Sequence, residues 1–91
     1  MRILSVMKYN NYYTVFYETD SNYIREDIFL ENTAITKYPK EQFGDYDQFV
    51  NTMKEADAGT RFLLEPVEID EINYDDIKRL YDQLSIQFGW Q

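Results

Sequence analysis

Residues 2–18 read RILSVMKYNNYYTVFYE. The two ends of this stretch, RILSVM (2–7) and YYTVFYE (12–18), are dense in β-branched and aromatic side chains, which suit a pleated surface. Between them Lys8-Tyr9-Asn10-Asn11 supplies turn residues, so the pair predicts a β-hairpin. In the second arm Tyr13, Val15 and Tyr17 share one face, while Tyr12, Thr14 and Phe16 share the other. Further along, Thr19-Asp20-Ser21-Asn22 is a second turn signal. YIREDIFL (23–30) then continues an antiparallel meander, and residues 34–38 add a short strand before Pro39.

The remainder changes period. Asp45 is placed to cap a helix, and Gln48 three residues later completes a capping-box pattern. Tyr46, Phe49, Val50 and Met53 follow at helical spacing, and Gly59 lies where that helix would stop. Residues 61–64 predict another strand, interrupted at Pro66. Asn73 and Asp76 repeat the capping pattern, and Ile77, Leu80, Tyr81, Leu84 and Phe88 mark one face of a final helix that exits at Gly89. The expected architecture is a single α+β domain over residues 1–91. It comprises an antiparallel sheet of three to five strands with two α-helices packed on one face, in the order β-β-β(-β)-α-β-α.

Composition excludes several kinds of chemistry. The 91 residues contain no cysteine, which removes disulfides, thiolate nucleophiles and cysteine zinc sites. They contain no histidine either, so the usual acid–base group at neutral pH and the commonest transition-metal ligand are missing. Gly59 and Gly89 are isolated and form no phosphate-cradling loop, and no serine has an imidazole to activate it. The expectation is a non-enzymatic protein without a cofactor. The opening MRILSVMK is far too short for a secretory apolar region, and no apolar run approaches spanning length, so a cytoplasmic location is expected.

Net charge is −8 and unevenly spread. Residues 1–40 hold five acids and five bases, whereas residues 41–91 hold twelve acids and four bases. Such asymmetry points to a charged partner. A basic protein groove is its complement, while nucleic acid and anionic membrane are both repelled. The excess peaks in EPVEIDEINYDD (65–76), with six carboxylates and no base. Asp75 and Asp76 are explained by the first turn of a helix, where the backbone dipole favours negative charge, and Asp75 is spaced to pair with Arg79. Glu65, Glu68, Asp70 and Glu71 have no such explanation. Glu68, Asp70 and Glu71 could hold a magnesium ion, as almost any acidic cluster could, or the segment could form a recognition surface.

Nine tyrosines are the second unusual feature. Tyrosine buries area at low entropic cost and keeps a polar tip, which favours interfaces. Tyr74, embedded among Asp70, Glu71, Asp75 and Asp76, is the expected contact residue, its ring stacking on a partner arginine. The expected partner-binding set is therefore Glu65, Glu68, Asp70, Glu71, Tyr74, Asp75 and Asp76. The alternative is a protein-interaction subunit, or a homodimer formed through a tyrosine-rich sheet surface.

In its acidity, the EPVEIDEINYDD run, its lack of Cys and His and its small α+β layout, the chain resembles small acidic phage proteins that block host nucleases. These include anti-CRISPR proteins and anti-restriction DNA mimics. The resemblance implies an inhibitor that occupies a basic channel, with Glu68, Asp70, Glu71, Asp75 and Asp76 standing in for phosphates. The charge-balanced first half departs from a full-length mimic, so a localised plug is implied.

Overall fold

Seven-residue strands at the N-terminus need neighbours for their backbone groups, and they find them in sequence order. The computed structural model describes residues 1–90. Strands β1 (Arg2–Lys8), β2 (Tyr12–Glu18), β3 (Asn22–Phe29) and β4 (Thr33–Pro39) form the expected antiparallel meander. A short 3₁₀ turn, Lys40–Gln42, leads to helix α1 (Tyr46–Ala56). A two-residue strand β5 (Val67–Glu68) then adds to the free edge of β1, and helix α2 (Tyr74–Phe88) is the last element among the described residues. The five-stranded order is β4-β3-β2-β1-β5, an α+β fold.

The two helices do not share a face, which corrects the expected arrangement. Tyr13, Val15 and Tyr17 of β2 join Ile3, Val6, Ile24 and Ile28 in one core with Ile77, Tyr81 and Leu84 of α2. Phe16 and Tyr23, on the opposite side of the pleat, join Leu4 in a second core with Phe49 and Met53 of α1. The sheet is thus the middle of three layers. The physical reason is already in β2, whose five central residues are all buried, so both of its faces need cover.

A bulge in β1 serves both cores. Ile3 pairs with Tyr17 and Ser5 with Phe16, leaving Leu4 as the extra residue. Leu4 can then reach the α1 side while Ile3 and Val6 remain on the α2 side. The chain crosses between layers along this same edge. Phe62 packs with the α1 core and Leu63 with the α2 core, as consecutive residues of an extended segment do.

Residues 61–64 are nevertheless not a strand. Ser5 Oγ donates to the Arg61 carbonyl, and the Leu63 N–H donates to the Leu4 carbonyl at 2.8 Å, but no ladder follows. Residues 64–66 swing away from the sheet, with Leu64 99% exposed, before pairing resumes at Val67. Pro66 has no N–H to give a ladder, which accounts for the displaced strand.

Both helix starts follow their sequence signals. Asp45 accepts from the Gln48 N–H at 2.9 Å, while the Gln48 side chain accepts from the Gly44 N–H rather than from Asp45. Asn73 caps α2 by accepting from the Asp76 N–H at 2.9 Å. The exits differ. Helix α1 stops at Ala56, where the Asp57 carboxylate takes the Gly59 N–H at 2.9 Å. Helix α2 ends on Gly89 at φ 70°, a left-handed conformation that glycine adopts without a steric penalty. Of its expected apolar face, Leu80 is half-buried and Phe88 is exposed.

Candidate functional site

The acidic segment is spread over the β5 edge and the start of α2, and only part of it converges. Glu68, Asp70, Glu71 and Asp76 line one open depression of about 650 Å³, floored by Val67, Ile69 and Leu80 and flanked by Arg79 and Gln83. The β1–β5 pairing, Arg2 with Glu68 and Ile3 with Val67, sets one wall. The Ile69 N–H donates to the Met1 carbonyl at 2.9 Å and extends that wall past the strand. The Asn73 cap sets the other by fixing where α2 begins.

The depression is not uniformly negative. Asp76 is held by its own helix: the Asn73 amide donates to it at 2.8 Å and the Arg79 guanidinium also bonds it. Those two bonds, the Asn73 amide first, hold its carboxyl below the usual range. Arg79 therefore pairs with Asp76 at i,i+3, not with Asp75 as its spacing allowed. Glu68 lies 3.5 Å from the Met1 ammonium, an exposed pair of small energetic weight. Asp70 and Glu71 make no ion pair among the described residues, and both are exposed. Lys78 bonds Asp82 at 3.1 Å along the helix and leaves the acidic segment alone.

Three expected residues stand apart. Glu65 lines a neighbouring groove of about 590 Å³ between residues 61–67 and the end of α2, beside Leu64, Phe88 and Trp90. In that groove the Arg61 guanidinium lies 4.3 Å from the centre of the Trp90 ring, so Arg61 is engaged with an aromatic face and not with a carboxylate. Asp75 is exposed on the first turn of α2 and lines neither concavity. Tyr74 packs edge-on against Tyr13, with ring centres 5.5 Å apart, at the margin of the α2 core. Its ring is committed to packing, which leaves the carboxylates of the depression without an aromatic partner of their own.

The other tyrosines are mostly structural. Tyr13, Tyr17, Tyr23 and Tyr81 are buried. Tyr9 and Tyr12 stack in line with Phe29, with centres 4.9 and 4.8 Å apart, and form the main aromatic group left half-open on the sheet. Among the described residues no three carboxylates come together in a way that would hold a metal ion. No described helix is long and apolar enough to cross a membrane.

What the sequence did not signal is the apolar floor of the depression and the Met1 ammonium beside Glu68, which β1–β5 pairing brings there. Arg79, three residues after Asp76, was legible from helical spacing. No family model, curated protein or solved structure matches this chain.

Proposed function

We propose that the protein is a non-enzymatic inhibitor that docks on a basic, nucleic-acid-binding protein through the β5–α2 edge. The observation that supports this reading is the convergence of Glu68, Asp70 and Glu71 on one concavity with Asp76 already neutralised by Arg79. Asp70 and Glu71 then project negative charge outward, as phosphates do, from a wall fixed by β1. An arginine or lysine entering the depression would meet carboxylates at the rim and its stem would lie on Val67, Ile69 and Leu80. Like charges clustered on a small domain cost stability, and a cationic partner would relieve that repulsion.

The test is binding to a basic nuclease measured against salt and against competing DNA. Affinity should fall steeply as ionic strength rises, since the contact is electrostatic and exposed. DNA in excess should displace the protein. The triple variant Glu68→Gln, Asp70→Asn, Glu71→Gln should fold as stably as the parent and bind at least about tenfold more weakly, at roughly 1.4 kcal/mol per tenfold. Unchanged binding by that variant would overturn the proposal.

A further inference from the structure

The edge of the sheet opposite the acidic site is an open seven-residue strand. Strand β4 pairs with β3 along its whole length, with no bulge, and residues 33–37 are all exposed. At the two ends of this ladder the Phe29 N–H donates to Asn32 and the Lys40 N–H to Ser21, each at 2.9 Å. Antiparallel pairs alternate between hydrogen-bonded and non-hydrogen-bonded. The backbone groups of Ala34, Thr36 and Tyr38 therefore turn inward to β3, and those of Thr33, Ile35 and Lys37 turn outward, without a partner among the described residues.

We propose that β4 is a dimer interface in which two copies of this chain pair antiparallel about a two-fold axis at Ile35. This register sets Ile35 against its own copy and Lys37 against Thr33 of the other, so every outward N–H of the three meets an outward carbonyl. A shift that centres the axis on Thr36 instead would set Thr33 against Pro39, which has no N–H. Centring on Ala34 would carry Lys37 past the strand into the other copy's turn.

Side chains agree with the same register. Ile35 is 54% exposed at the middle of the strand, an apolar residue that the axis would cover with its twin. In this register Lys37 comes beside the other copy's β3–β4 turn, which carries Glu31. Neither Lys37 nor Glu31 has an ion-pair partner among the described residues of its own chain. Glu31 lies in the turn before β4 and Lys37 towards the strand's far end, so the two do not pair within one copy.

Lysine and proline on an edge strand often discourage pairing. Here Pro39 lies outside the overlap and Lys37 meets an acid, so neither opposes the two-fold. The six carboxylates of residues 65–76 do not oppose it either, because they belong to the β5 edge and the start of α2, away from β4. With order β4-β3-β2-β1-β5, the two acidic edges of the dimer would be about 40 Å apart, several Debye lengths at physiological salt.

Sedimentation or light scattering of the full chain across concentration tests this directly. The expected result is a reversible species of twice the 11.0 kDa monomer mass. On dimerisation the amides of Thr33, Ile35 and Lys37 should become protected from hydrogen exchange, while those of Ala34, Thr36 and Tyr38 are protected already. Lys37→Glu and Glu31→Lys should each weaken the dimer by about tenfold, since each creates two like-charge contacts about the axis. The double variant should restore it. Ile35→Lys should give a folded monomer. A chain that stays monomeric up to about 1 mM, beyond the range of a specific complex, overturns the proposal. So does a dimer that ignores both single charge reversals, or one in which the double variant stays as weak as either single variant.

Discussion

Phe49 holds helix α1 to the sheet, and its truncation is the most direct measure of the second core. Its side chain is 0% exposed. The ring stacks on Tyr23 at 4.1 Å between centres and is also surrounded by Phe43 at 5.3 Å, Phe16 at 5.9 Å, Phe62 at 6.0 Å and Tyr38 at 6.1 Å. Three of these neighbours, Phe16, Tyr23 and Tyr38, are fixed on strands, so they cannot close a void left beneath the helix. Phe49→Ala should therefore cost about 4–5 kcal/mol, the upper part of the range for buried aromatic truncations. A chain of this size has roughly 5–14 kcal/mol in all. Urea unfolding followed by far-UV circular dichroism should show the midpoint falling by a third or more. Phe88→Ala, which removes a half-exposed ring on the other layer, should change stability by less than about 0.5 kcal/mol. A cost below about 1 kcal/mol for Phe49→Ala would mean that α1 is not anchored as described, and the three-layer account would fail with it.

Tyr17 donates to the buried Glu26 carboxylate at 3.0 Å, and burial with that bond pushes its phenol up to about 12. The neutral form is favoured in the fold, so its contribution is complete below pH 10 and is lost as pH rises from about 10 through about 12. Alkaline melting curves should decline over that window, and Tyr17→Phe should flatten the decline while costing about 1–3 kcal/mol at neutral pH by leaving Glu26 buried without its donor. Asn73→Ala should destabilise α2 by about 1 kcal/mol through the lost cap, read by thermal denaturation. It should also raise the Asp76 carboxyl towards its ordinary range in an NMR titration, because the first cause of its depression is the Asn73 amide. Tyr46 has a buried hydroxyl with no hydrogen-bond partner among the described residues. Tyr46→Phe should therefore be neutral or stabilising by up to about 1 kcal/mol in urea unfolding, and a clear loss would reveal an unseen partner.

The acidic site shows where local signals stop. Asn73, Asp75 and Asp76 announce a helix start, and the Asp76–Arg79 pair is a matter of helical spacing. The wall formed by Glu68 and Asp70 depends on β5 finding β1, a contact between residues more than sixty positions apart. Its depth depends on Leu80 and Ile69, whose apolar character predicts burial without saying beneath which carboxylates.

By itself the sequence determined the meander, both helix starts and the concentration of charge in the second half, since each follows from neighbours within a few residues: β-branched runs, turn residues, caps. It also contained, in the unbroken burial potential of YYTVFYE, the demand for cover on both faces of β2. Only the tertiary structure decided how that demand was met. Pairing along the β1 edge carries the chain from one layer to the other, and the same crossing settles which carboxylates face a common depression, which lie beside Arg79 or Met1, and which strand is left open at the far edge.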